Sequence, residues 1–289
     1  MEQRKVATVF APLEPHFVGD GFRVSNFIPG QVSMRRMNPF IMLDYNSKFY
    51  FPPAEKPRGV SVHPHRGFET VTIAYKGSVA HHDSSGGGGV IGEGDVQWMT
   101  AASGVLHKEY HEEKFSKQGG EFHMVQLWTN LPAKDKMSAP RYQAISKDKM
   151  ERIPLLQGGE IEIIAGKYQN KTGPAFTVTP INLFNVRLPK NTSTTLSFPA
   201  TYNTALLLIE GSIKVNDLII AHTDHFVLFE NNSEEFSVEA LEDAVILLMS
   251  GEPLDEPIAS YGPFVMNTQA ELVQAIHDFQ DGKFGYLAE

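Results

Sequence analysis

An all-β fold built as two copies of one barrel is what the sequence predicts, and three observations carry that prediction. Short runs rich in β-branched and aromatic residues recur between turn signals: "TVTIAY" (70–75), "VQWM" (96–99), "HMVQLWT" (123–129), "EIEIIAG" (160–166), "TALLLIE" (204–210), "HFVLFE" (225–230) and "AVILLM" (244–249). Many short strands parted by Gly, Asn, Asp and Pro turns are the pattern of a sandwich or barrel. A weak internal repeat sets "AYKGSV" (74–79) beside "LIEGSI" (208–213), and "EGDVQWMTAASG" (93–104) beside "HTDHFVLFENNS" (222–233). Finally, helix is expected mainly at the end of the chain.

Each element follows from local chemistry. Closure of the strands into barrels removes unpaired sheet edges. The stretch 131–149 is expected at or near the connection, which gives an N-terminal unit over 1–140 and a C-terminal unit over 141–289. In "NTQAELVQAIHDFQDGKFG", Thr268 precedes Glu271 by three residues, a capping-box spacing. Leu272, Val273, Ile276 and Phe279 are expected on one helix face, with Gly282 as the stop.

Composition narrows the chemistry. A chain of 289 residues has room for two domains, which usually run to roughly 100–200 residues each. The longest apolar runs, "ALLLI" and "AVILLM", are strand-sized, far short of the roughly 20 residues of a membrane-crossing helix. The start "MEQRKVATVF" has no sustained apolar core, so no secretory signal is read and a cytoplasmic location is expected. Asn-x-Ser/Thr triplets at Asn170, Asn191 and Asn231 are accordingly read as chance. A formal charge of −9 argues against direct nucleic-acid binding, which needs a basic face; Arg35-Arg36 reads as solvated surface. With no cysteine, disulfides, iron–sulfur clusters, thiolate zinc sites and cysteine nucleophiles are excluded. Any metal must be held by histidines and carboxylates.

"SVHPHRGFET" (61–70) places His63 and His65 around one proline. Side chains alternate along a strand, so both imidazoles point one way, roughly 6–7 Å apart, with Pro64 opposite. Proline confines this segment to an edge or bulged strand. "GVLHKEYH" repeats the spacing with His107 and Glu109, Lys108 being turned away. Brought together, the two pairs supply three nitrogens and one carboxylate, a set that suits Fe(II), Mn, Co, Ni, Cu or Zn. Glu69 would also face inward if its strand ran on unbroken from His65, although Gly67 makes a bulge plausible. His81, His82, His111 and His123 are further candidates, read as surface or hydrogen-bonding residues.

The run "GGGGVIG" contains Gly87-x-Gly89-x-x-Gly92, formally a dinucleotide fingerprint. It is rejected because a strand, "GDVQWM", follows where a helix would be needed; a flexible hairpin loop explains it. In the second repeat, counting from Gly211 and Asp224 puts Ser197 and Pro199 where the first has His63 and His65, and Phe236 and Val238 where it has His107 and Glu109. All four candidates are lost together, as expected of one site that only the first barrel keeps.

"HPHRGFETVT", "HHDSSG", "GDVQWMTAASGVLHKE", "GGEFHMVQLWTNLP", "PRYQ" and the C-terminal "YGPFVMNTQAEL" resemble the pirin family of bicupins. The resemblance implies two double-stranded β-helix (jelly-roll) barrels packed face to face, with one mononuclear metal, by preference Fe(II), in the N-terminal barrel. It carries the ligands onto His63, His65, His107 and Glu109, and favours Glu109 over Glu69. Where many members read "TAGSGILHSE" this chain has "TAASGVLHKE", with Ala102 and Lys108 beside the ligands. Two functions are implied. One is a quercetinase-type dioxygenase that cleaves a flavonol-like small aromatic substrate with O2 and releases carbon monoxide, with Glu109 also taking the substrate's proton. The other is a non-catalytic metalloprotein that regulates a protein partner according to metal state. A cupin acting on another small molecule with adjacent oxygen donors is a third reading.

Overall fold

The structure is a computed structural model that describes residues 2–288. Strands dominate it, and every expected run coincides with one, from Phe68–Lys76 to Ala244–Gly251, with Gly166, His225 and Glu230 falling just outside theirs. The chain divides into two units, neither continuous in sequence: a smaller one of Met1–Leu13, Gln31–Pro39 and Asp148–Pro253, and a larger one of Glu14–Gly30, Phe40–Lys147 and Leu254–Glu289. This differs from the expected boundary at 140/141 for physical reasons. Arg141–Ile145 pairs with Val96–Thr100 and so completes the larger unit's sheet, while Val6–Phe10 pairs with Phe226–Phe229 in the smaller. The C-terminal helix, expected with the second barrel, belongs to the larger unit, where Leu272 and Ala275 pack with Phe264, Phe284 and Leu106.

Each unit has one seven-stranded and one four-stranded sheet. In the larger unit the seven-stranded order is Arg141–Ile145, Val96–Thr100, Phe68–Lys76, Gly120–Asn130, Phe40–Phe51, Phe22–Ile28, His16–Val18. Its four-stranded sheet runs Gly59–His65, Val105–His111, Val79–Asp83, Gly88–Ile91. The repeat is visible in the turns: Gly77 and Gly211 both sit at φ +82, a conformation that glycine adopts without a Cβ penalty.

Strand pairing also corrects the repeat by one residue. His63 lies opposite His107 in one unit, and Leu196 lies opposite Phe236 in the other. The counterparts of His63 and His65 are therefore Leu196 and Phe198, not the exposed Ser197 and Pro199. Leu196, Phe198, Phe236 and Val238 are all buried in one apolar core, each side chain contributing about 1.5–3 kcal/mol. The second barrel has filled the space that the first keeps polar.

The capping box at Thr268 and Glu271 is present on the helix Gln269–Gln280. Its buried face is Leu272, Ala275 and Asp278. Val273, expected to be buried, is 52% exposed, because it lies about 100° round the helix from Leu272. No described helix is long and apolar enough to cross a membrane.

Candidate metal centre

Gly59–His65 is the edge strand of the four-stranded sheet and Val105–His111 its neighbour, a position that tolerates Pro64. His63 is directly opposite His107 and His65 opposite Val105. The strand ends at His65, and Gly67 turns the chain at φ +90. A Cβ on Gly67 would meet the Val265 carbonyl oxygen at 2.0 Å, so only glycine fits. That break removes Glu69 from the histidine face. Glu69 is fully buried elsewhere, accepting from Thr100 Oγ1 at 2.7 Å and Thr129 Oγ1 at 3.0 Å, and burial raises its carboxyl despite these bonds.

His63, His65 and His107 come together, with one potential ligand atom from each within 4.8 Å of the others. Their ring centroids are 4.8 Å (His63 to His65), 4.2 Å (His63 to His107) and 4.6 Å (His65 to His107) apart. In each ring Nδ1 is already engaged: His63 with the Ser61 carbonyl at 2.8 Å, His65 with the Pro263 carbonyl at 3.4 Å, His107 with His81 Nδ1 at 3.4 Å. Nε2 is left as the free nitrogen, and that of His107 is buried with no hydrogen-bond partner. An orphaned buried nitrogen costs about 1–3 kcal/mol, and a bound ion would remove that cost. Burial, then the neighbouring imidazoles, push His65 and His107 well below the ordinary histidine value. Both are therefore neutral at pH 7, the form that binds metal. The donor set fits a divalent ion.

Glu109 lies in a second group of three, with His81 and His107. Lys108 sits in a register shift between His107 and Glu109. The Glu109 carboxylate accepts from Gln97 Nε2 and lies 3.1 Å from Thr72 Oγ1. His81 is buried at the centre: Nε2 meets Asp83 Oδ2 at 3.1 Å, Nδ1 stands 4.0 Å from Glu109 Oε1, and Tyr142 stacks on the ring. Burial alone would raise the Asp83 carboxyl, but bonds from His81, Ser85 and Gly87 outweigh it and hold it at about 2. An ionised Asp83 fixes the proton of His81 on Nε2. The His81 Nδ1 lone pair then accepts from His107 Nδ1–H, which leaves the His107 Nε2 lone pair outward.

The other histidines stand apart. His82 is exposed and stacks on Tyr110. His111 contacts the Gly21 carbonyl at 2.8 Å, and His123 contacts Tyr45 Oη at 2.8 Å; burial lowers both to about 4. Of the glycine run expected as a loop, Gly86 and Gly87 lie in the hairpin turn after Val79–Asp83, while Gly88 and Gly89 are already paired in the strand Gly88–Ile91, opposite His82 and His81.

A cavity of about 350 Å³ opens on the centre. His63, His65 and Glu109 line it beside Val24, Met42, Met124 and Trp128, with Asp44 and Gln126 as polar points. Sequence reasoning missed Gln97, Gln126, Thr72, Asp44 and Asp83. A usable signal existed for two of them: Gln97 in "VQWM" and Gln126 in "HMVQLWT" are lone amides inside apolar strands, and a buried polar group there needs a partner.

Two family models match the chain: one described as Pirin over 21–129, the other as the Pirin C-terminal cupin domain over 183–285. A Pseudomonas aeruginosa protein described as "Putative quercetin 2,3-dioxygenase PA2418" is 46% identical over 282 residues, which is 97% of this chain and 98% of that one. The crystal structure of quercetin 2,3-dioxygenase from Acinetobacter baumannii superposes with a TM-score of 0.94 at 44% identity, covering 99% of this chain and 100% of that one. The fold is also shared with a bacterial pirin, YhhW from Escherichia coli, solved in complex with nickel(II); its TM-score is 0.63 at 18% identity, covering 86% of this chain and 100% of that one.

Proposed function

The chain belongs to the pirin family, and on that premise we propose that it is a metal-dependent dioxygenase of the quercetinase type. The substrate is a flavonol-like molecule: both atoms of O2 enter the ring-opened product and one ring carbon leaves as carbon monoxide. The observation that carries the reading is the convergence of three imidazoles with free Nε2 atoms at a largely apolar cavity.

His63, His65 and His107 would hold one ion, which we assign as Fe(II), and Glu109 would reach it from the neighbouring position. When bound, that ion supplies Lewis acidity toward adjacent oxygen donors and redox capacity toward O2. The remaining work falls to the chain. Glu109, on the cavity wall, accepts the substrate's hydroxyl proton on its carboxylate. Gln97 Nε2 donates to that carboxylate, so the base is positioned before substrate arrives. Trp128, with Phe68 stacked on it at 4.1 Å, and Met42 and Met124 give a flat ligand apolar faces to lie against and exclude water.

The test is oxygen uptake by the Fe(II)-reconstituted protein with quercetin, alongside a His65→Ala control. Uptake with carbon monoxide release that vanishes in the control is expected. No uptake by protein that demonstrably holds iron would overturn the catalytic reading and favour a partner-binding role.

A further inference from the structure

Five neighbouring strands of the larger unit place one polar residue each at the same level of the sheet. Asn26 is opposite Asp44, Asp44 opposite Gln126, Gln126 opposite Thr72, and Thr72 opposite Gln97. Directly opposed residues share a face, so the five form one polar row. Of the residues two positions away on the same strands, which share that face, the four that line the cavity are apolar, Val24 and Met124 to one side and Met42 and Trp128 to the other; the polar ones, Asn46, Thr70 and Asp95, do not line it. The row is thus a polar stripe inside an apolar slot.

Hydrogen bonds run along it with one gap. Asn26 Nδ2 donates to Asp44 Oδ1 at 2.6 Å, Thr72 Oγ1 to Gln126 Oε1 at 2.7 Å, and Gln97 Nε2 to Thr72 Oγ1 at 3.0 Å. Between Asp44 and Gln126 no bond forms. Each spends one polar atom on its outer neighbour, which leaves Asp44 Oδ2 as an acceptor and Gln126 Nε2 as a donor on the cavity wall. Burial raises the Asp44 carboxyl above its ordinary value against the pull of Asn26 and the nearby His16, the condition of a partly desolvated group that gains from a further partner.

A phenolic hydroxyl is the group that completes this gap, because it donates one hydrogen bond and accepts another. We propose that Asp44 and Gln126 form a subsite for a hydroxyl on a ligand ring distinct from the ring held at the histidines. This rests on reading the cavity as the substrate pocket. The gap between Asp44 and Gln126 lies one and a half strands from Thr72 and two and a half from Gln97, the residues beside the Glu109 carboxylate, a separation of roughly 7–12 Å at the usual strand spacing. The ligand class is therefore an extended planar polyphenol with hydroxyls at both ends.

Binding and turnover separate this proposal from the reading beneath it. Quercetin and 3-hydroxyflavone, which lacks the hydroxyls on the other rings, are titrated into the metal-loaded protein by quenching of tryptophan emission, and oxygen uptake is followed with each. The native protein is expected to bind quercetin about tenfold more tightly, the worth of one well-placed hydrogen bond to a charged group. In Asp44→Asn, Asn26 holds the new amide oxygen and the amide nitrogen replaces Oδ2, so the preference is expected to vanish while 3-hydroxyflavone binds as before. Gln126→Glu replaces the donor by an acceptor and should lose the preference independently. A preference unchanged in both folded variants overturns the subsite even if turnover continues. Absent oxygen uptake with an Asp44-dependent preference supports the subsite and overturns the dioxygenase reading; failure of both flavonols to bind overturns both.

Discussion

Arg66 Nη1 and Asp278 Oδ2 are 2.8 Å apart in a buried ion pair, which ties the C-terminal helix to the residue that follows His65. Arg66 also donates from Nε to the Ser103 carbonyl at 2.6 Å and lies over the Phe284 ring. Its backbone pairs with the segment carrying Pro263, whose carbonyl faces His65 Nδ1. The C-terminal segment is thereby part of the support of a candidate ligand.

Breaking this pair should be costly and pH-dependent. Asp278→Ala leaves a buried guanidinium unpaired and is expected to lower stability by about 3 kcal/mol, read by urea unfolding. Bonds from Lys283, then Arg66 and Gln274, hold the Asp278 carboxyl well below its ordinary value. A depressed folded value means the contribution is complete above the unfolded carboxylate's range near pH 4 and is lost as pH falls below it. Asp278→Asn should therefore flatten the acid-side decline in stability; an unaltered decline would show that the pair does not contribute.

Asp83 is expected to act on metal affinity through two imidazoles. Asp83→Asn releases the proton arrangement that leaves His107 Nε2 free, and a loss of about 10–100-fold in affinity is expected, measured by competition with a chromophoric chelator. Affinity within twofold of the native value, in a folded variant, would contradict the proposed proton arrangement.

Lys136 is a purely structural case. Its ammonium, 1% exposed, donates to the carbonyls of Gly67 (2.6 Å) and Val265 (3.0 Å) and to Asn130 Oδ1 (2.7 Å). Lys136→Met strands three buried acceptors at about 1–3 kcal/mol each before relaxation. A loss of at least about 3 kcal/mol in urea unfolding is the expected result.

The fold was legible because period-2 runs and glycine turns are local signals. The histidine pairs were legible for the same reason, since residues two apart on a strand share a face. His81 was not: its burial depends on its place opposite Glu109 across the sheet, and nothing in "AHHD" distinguishes it from the exposed His82. The one-residue error in the second repeat arose because loop lengths differ between copies, whereas strand pairing fixes which side chains face inward. The compact units differ from a single cut in the sequence for a related reason. Val6–Phe10 and the C-terminal helix each join a sheet or core far away in sequence, and only long-range pairing records that.

Metal removal should be visible in stability. An ion that binds only the folded chain adds about 2.7 kcal/mol at a free concentration one hundred times its Kd. The chelated protein is therefore expected to melt several degrees below the metal-loaded one, a difference that His107→Ala should abolish. Equal melting of both forms would contradict an ion held by these side chains.

The most direct measurement is anomalous diffraction at the absorption edge of the metal in crystals of the loaded protein. The expected result is one peak per chain, roughly 2.0–2.2 Å from the Nε2 atoms of His63, His65 and His107 and from a Glu109 oxygen, the distances usual for nitrogen and carboxylate ligands. A peak coordinated by His81 instead of His63 and His65, or no peak at these residues, would contradict the four-residue centre.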